Sequence, residues 1–194
     1  MSGAMPWEFG ALTPLRYGVI LADPPWYFRN RSQKGEIKNP VAHYDCMEVA
    51  AIAALNVNQL AAPDCLLFLW ATWPMLTQAL HVMAAWGFTY KTGGAWHKTT
   101  KHGKTANGPG YLLRSSSEPF ILGTLGAPRS QSKSERGLIM AEVREHSRKP
   151  NAAHEMLERM FPDARRCELF ARTTRPGWEP WGNEVGKFGR EEGP

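Results

Sequence analysis

No GxGxxG occurs anywhere in this chain, so the usual glycine signature of a dinucleotide site in an α/β fold gives no guidance. Cysteine is scarce. Cys46, Cys65 and Cys167 are odd in number, far apart and without CxxC spacing, which argues against a disulfide scaffold or a cysteine-rich zinc site and fits a reducing cytoplasm. No apolar run approaches the roughly 18 residues of a membrane span. The N-terminus also lacks the basic-then-apolar order of a secretory signal, so a soluble cytoplasmic protein is expected. His43, His97, His146 and His154 fall into no compact ligand spacing, and no metal is expected. Internal repeats are absent too.

What is present suits one α/β domain spanning residues 1–194: the chain is long enough for a full core and too short for a second sizeable recognition domain. The net charge of +5 and pI near 9.2 suit a polyanionic partner, though so modest an excess is weak support. Tyr17 to Ala22 and Cys65 to Trp70 read as buried strands. Asp45 and Glu48 have capping-box spacing, predicting a helix from Cys46. Thr72 and Pro74 open a second helix, with Leu76, Ala79, Leu80 and Met83 on one face and Gly87 as its stop. Phe88 to Lys98 reads as a strand bent at Gly93-Gly94. Phe120 to Gly123 and Gly137 to Met140 read as short strands around a polar, disordered Pro128 to Arg136. Pro150 opens a helix carrying Ala153, Met156, Leu157 and Met160 on one face, and Arg165 to Phe170 returns as a strand. Strands alternating with helices imply a mostly parallel sheet with helices on both faces. Two polar, basic stretches, about 27–42 and 99–118, read as mobile loops.

The most informative residues are Asp23-Pro24-Pro25-Trp26, directly after the first strand. A carboxylate and a flat aromatic ring are thereby set at the carboxyl edge of a sheet, where open α/β folds bind ligands. This pairing suits an amine on a nucleobase, a poor nucleophile because its lone pair is spread into the ring. Asp23 accepts one amine hydrogen bond and the Pro24 carbonyl, left free, accepts the other; Pro25 completes the turn. Trp26 stacks on the base, worth roughly 1–3 kcal/mol, which offsets part of the cost of extracting it from a duplex. The alternative is a strand, a Pro-Pro turn and a packed tryptophan.

Further along stand His43-Tyr44, Leu66-Leu67-Phe68-Leu69-Trp70, Trp96-His97-Lys98-Thr99, His146-Ser147-Arg148-Lys149-Pro150, Glu168-Leu169-Phe170-Ala171-Arg172 and Trp181-Gly182-Asn183-Glu184. With Asp23-Pro24-Pro25-Trp26 these make the chain resemble, over nearly its whole length, the DPPW-motif (MT-A seventy type) class of S-adenosylmethionine-dependent adenine-N6 methyltransferases. The likeness is greatest to short phage and bacterial members. It implies a Rossmann-like methyltransferase fold with permuted motif order, the catalytic motif N-terminal and the cofactor-binding part C-terminal. By matched position, Lys149 pairs with the carboxylate of S-adenosylmethionine, Arg172 and Thr174 contact its ribose or methionine portion, and Asn183 and Glu184 hold the ribose hydroxyls.

Thr174 and Arg175 depart from the His-Asn pair of eukaryotic relatives, leaving contacts there open. Phe9-Gly10-Ala11-Leu12 is the available stand-in for an adenine pocket. Tyr44, Trp70 and Trp96 match substrate-side positions, with core packing the alternative, and Lys98, Arg29 and Arg31 lie where phosphates would pass. Glu168 reads either as part of the site or as a structural acid against an arginine. The resemblance implies methyl transfer to adenine in DNA, encoded in a bacterium or its phage. Adenosine in RNA and a catalytically silent nucleic-acid-binding scaffold stand as alternatives, and the protein is expected to be a monomer or homodimer.

Overall fold

The computed structural model describes residues 7–26, 46–110, 112–145 and 147–190. The basic stretch 27–42 lies outside them, as do Arg29, Arg31 and Tyr44. Seven strands form one sheet: β1 Tyr17–Ala22, β2 Ala61–Trp70, β3 Thr89–Thr99, β4 Ser117–Leu125, β5 Leu138–Glu142, β6 Arg166–Leu169 and β7 Trp178–Trp181. Their order is β5-β3-β4-β2-β1-β6-β7. All neighbours run parallel except β2 with β4 and β3 with β4, so β4 alone is reversed. This is the α/β, Rossmann-like architecture expected from the sequence.

Strict period-two alternation builds two cores from one sheet. On one face Ile20 and Ala22 of β1 and Cys65, Leu67 and Leu69 of β2 meet Ile52 of α1 (Val49–Ala53) and Ala79, Val82 and Met83 of α2 (Leu76–Ala85). On the other, Val19, Leu21, Leu66, Phe68 and Trp70 meet Ala153, Met156 and Leu157 of α3 (Ala152–Met160). Trp86 closes the first core, its indole N–H donating to the Ile52 carbonyl at 2.9 Å. Gly87 then ends α2 with φ at +82°, a conformation that costs glycine nothing.

Several local expectations are corrected. The first helix starts at Val49 rather than Cys46, and neither Glu48 nor Thr72 caps a helix through its side chain. A 3-10 turn over Trp73–Met75 precedes α2, which buries Val82 and leaves Leu80 exposed. The irregularity in β3 falls between Tyr90 and Thr92, not at Gly93-Gly94. Segment 128–136 is ordered: Gln131 N–H donates to the Met160 carbonyl and Glu135 pairs with Arg159 at 2.9 Å. The 100–116 connection is pinned by Thr100 N–H to the Lys104 carbonyl and Gly108 N–H to the Ser115 carbonyl. β7 was not foreseen at all.

Gly93 and Gly94 serve close approach. A Cβ on Gly94 would lie 2.2 Å from the Gly137 carbonyl oxygen and 2.5 Å from the Phe120 ring. Gly94→Ala is therefore expected to lower stability by about 2 kcal/mol or more in urea-unfolding measurements. Gly123→Ala, whose Cβ would meet the flexible Met83 thioether first, at 2.6 Å, should cost less.

Candidate active site

Asp23 follows the last residue of β1 and is held by its N–H donating to the Leu169 carbonyl of β6. The three residues after it are fixed in turn. Trp26 N–H donates to the Pro24 carbonyl at 2.8 Å, Met47 N–H to the Pro25 carbonyl at 2.9 Å, and the Trp26 indole N–H to the Trp70 carbonyl at 3.0 Å. The Pro24 carbonyl is thus not free as expected from the sequence; one of its two lone pairs is already used. Trp26 is 4% exposed and part of the core, so in this conformation its ring offers no open face for stacking.

The Asp23 carboxylate receives two cations. Lys149 Nζ stands 2.8 Å from Oδ1, and Arg172 Nη2 stands 2.7 Å from Oδ2. Lys149 also reaches Glu118 at 3.0 Å, and Lys98 pairs with Glu118 at 2.8 Å. These five charged groups come from β1, β3, β4, the entry to α3 and the residues just after β6. Four are carried to one edge because they lie at or just beyond the carboxyl ends of parallel strands or at the adjoining helix entry. Glu118 arrives there because β4 is reversed, so its amino end meets its neighbours' carboxyl ends. Lys149 lies 5.7 Å above the Trp70 ring, in cation–π range.

For Glu118 and Lys149 burial disfavours the charged form, and the neighbouring charges outweigh it. Burial works to raise the Glu118 carboxyl, but Lys149 and Lys98 hold its pKa at about 2. Burial likewise works against the Lys149 charge, and Asp23 and Glu118 overcome it, lifting the ammonium above the ordinary lysine value.

Beside this cluster a cleft is lined by Asp23, Lys149, His154, Glu168, Phe170, Arg172 and Phe188, among others. One backbone outlier lines it and another lies two residues before Lys149. Phe170, directly after β6, has φ of +60°, as does Ser147, a costly conformation for residues with a Cβ. The Ser147 carbonyl accepts from Arg172 Nη2 at 2.5 Å. Glu168 is buried against His154 at 2.9 Å, not against an arginine, and the opposite ring nitrogen of His154 has no protein partner. Arg175 is a packing residue, paired with Glu158 at 2.8 Å.

The structure therefore brings together Asp23, Lys149, Arg172 and Lys98 of the residues singled out in the sequence. Trp70 and Trp96 are 1% and 3% exposed; Trp96 donates to the Ala141 carbonyl, and both pack in the core. Thr174 is tied by its N–H to the Gly189 carbonyl. Asn183 and Glu184 sit beyond the carboxyl end of β7, the strand next to β6, with Glu184 paired to Lys187. Phe9 and Leu12 are buried, and Phe9 packs edge-on against Trp181. Among the described residues no His, Cys, Asp and Glu group is arranged to hold a metal ion, and no helix is long and apolar enough to cross a membrane. Glu118 and Phe188 were missed. The signal for Glu118 was an acid before Pro119 at the start of an apolar run, the mirror image of Asp23 at the end of one.

Comparison with known proteins gives a match to the MT-A70 family profile over residues 17–184. The type II methyltransferase M.MunI of Mycoplasma sp. is 32% identical over 91% of this chain and 81% of its own length. An Arabidopsis thaliana N(6)-adenosine-methyltransferase MT-A70-like protein is 34% identical over 87% of this chain but 24% of its own length. The Homo sapiens N(6)-adenine-specific methyltransferase METTL4 is 30% identical over 89% of this chain and 38% of its own. This chain thus spans most of the bacterial relative and under half of the plant and human ones.

Two outcomes follow from the charge cluster. Asp23→Asn leaves Lys149 and Arg172 facing each other across a neutral amide, and is expected to cost about 3 kcal/mol in denaturant unfolding. Glu118 has a pKa lowered from 4.5 to about 2 on folding, so its stabilisation is complete above pH 4.5 and is lost as pH falls through 2. The stability gap between the wild type and Glu118→Gln, measured by urea titration at stepped pH, should stay constant above that window and shrink on acidification within it.

Proposed function

This chain belongs to the MT-A70 family, whose members are adenine-N6 methyltransferases that use S-adenosylmethionine as methyl donor, and from that premise we propose that it methylates the exocyclic amine of adenine in DNA. The observation that carries the reading is the Asp23 carboxylate at the carboxyl end of β1, clamped by Lys149 and Arg172. DNA is favoured because the relative covered over most of its own length is a bacterial type II methyltransferase.

The donor set fits the cofactor. Three cations, Lys98, Lys149 and Arg172, stand against two acids, Asp23 and Glu118, leaving the cluster able to accept one more anionic group. Lys149 and Arg172 hold the cofactor's carboxylate in this reading. Asn183 and Glu184, beyond β7, take its ribose hydroxyls, and Thr174 supports the same edge. When bound, S-adenosylmethionine supplies an electrophilic methyl group on a sulfonium.

Asp23 accepts a hydrogen bond from the adenine amine and orients its lone pair, and the remaining lone pair of the Pro24 carbonyl is the second acceptor. As Lys149 and Arg172 engage a second carboxylate, less of their charge is spent on Asp23, which becomes the better acceptor. Asp23 then passes the amine proton to water after attack. Pro25 and Trp26 act by holding that geometry, through their bonds to Met47 and Trp70. Lys98, at the end of β3, meets the phosphate backbone; Arg29 and Arg31, which like Tyr44 lie outside the described residues, take the same role on the sequence reading alone. Trp70 and Trp96 form the packed floor beneath the site.

The test is incubation with methyl-labelled S-adenosylmethionine and, separately, unmethylated duplex DNA, single-stranded DNA and RNA, followed by digestion to nucleosides. Label in N6-methyldeoxyadenosine, lost in Asp23→Asn that still folds, is the expected result. Label confined to RNA would keep the chemistry and overturn the substrate. Label nowhere would favour a catalytically silent scaffold.

A further inference from the structure

Among the described residues, strand β5 forms one edge of the sheet and pairs only with β3. Its five residues, Leu138 to Glu142, carry no lysine, no proline and no bulge, and their one charge, Glu142, stands at the carboxyl end. Leu138 and Met140 are instead 54% and 65% exposed. Ile139 between them is buried in the core on the α3 side, so the two exposed side chains share the opposite face.

The direction of the free backbone groups can be worked out. Gly137 accepts from Ala95 N–H at 3.0 Å, and Val143 donates to the Thr99 carbonyl at 2.9 Å. The β3–β5 register is unbroken between them. Residues 137, 139, 141 and 143 therefore turn their polar groups toward β3, while 138, 140 and 142 turn theirs outward. An antiparallel partner must meet outward residues with outward residues. A second copy of β5 does so in three simple registers: Leu138 opposite Leu138, Met140 opposite Met140, or Leu138 opposite Met140.

Charge selects among them. Setting Met140 opposite Met140 places Arg136 across from Arg144, two like charges. Setting Leu138 opposite Leu138 places Met140 across from Arg136 and leaves Glu142 facing Ser134. Setting Leu138 opposite Met140 places the exposed Arg136 across from the exposed Glu142, twice by symmetry, and brings four apolar side chains together around the axis.

We propose that β5 is a homodimer seam, in which two copies pair antiparallel about a twofold axis at Ile139 and join their sheets edge to edge. The interface is isologous, since the same residues meet on both sides. Because β1 runs parallel to β5 through the intervening strands, the two Asp23 sites open on opposite edges of the joined sheet.

The test is the mass of the purified full chain by sedimentation equilibrium across a concentration series, against the single-chain mass of 21.7 kDa. The wild type should approach twice that mass. Arg136→Glu and Glu142→Arg should each weaken association by about tenfold, and the double reversal should recover most of the loss. Both positions are exposed, and circular dichroism on each variant checks that it remains folded. A wild type of single-chain mass at every concentration would overturn the proposal. So would a dimer indifferent to either reversal, or one that the double reversal fails to rescue.

Discussion

The clamp of Lys149 and Arg172 on Asp23 is the constraint on which the rest of the site depends. A carboxylate with only 11% of its side chain exposed has given up most of its hydration, and close cations must replace it. The chain supplies them from positions more than a hundred residues away in sequence. Only a fold that sets β6 beside β1, and that starts α3 over the same edge, can deliver both cations. The strained backbone at Ser147 and Phe170 is consistent with this demand, since both residues flank the cations they help to aim.

The reversed strand is the second requirement. Were β4 parallel to its neighbours, Glu118 would lie at the far edge of the sheet and Lys149 would have one acid instead of two. Reversal also lets β4 join β2 and β3 in antiparallel ladders, which supports the aromatic stack of Phe68 and Phe120, with centroids 4.5 Å apart. That stack lies beneath Trp70, and the Trp70 carbonyl in turn anchors the indole of Trp26.

Much of this was legible because β1 and β2 are near-continuous apolar runs and because an acid, two prolines and a tryptophan follow the first of them. Lys149 and Arg172 were found through motif likeness, and the structure adds why they matter: they neutralise a buried acid. Other features had no local signal. β7 is four residues long with two tryptophans and a proline, a composition that reads as a turn. The burial of Trp26, Trp70 and Trp96 depends on which sheet face each meets, and an aromatic residue at a strand end reads equally well as a packed ring or a ligand platform. Gly93-Gly94 looked like a bend, yet the two glycines admit Phe120 and the Gly137 carbonyl. Glu118 carried a local signal, an acid before Pro119 ahead of an apolar run, but only the strand's direction, a tertiary property, brings it to the Asp23 edge.

The carboxylate proposed to orient the amine also balances two interior cations, so its loss carries a structural cost as well as a chemical one. In many enzymes a duplicated copy can discard its reactive acid early and persist as a folded relic. Here loss of the acid alone leaves Lys149 and Arg172 facing each other without a counter-charge, so a copy that drops it gives up much of its stability unless one of the cations is neutralised as well. A lineage of inert descendants should therefore lose the acid together with a cation beside it.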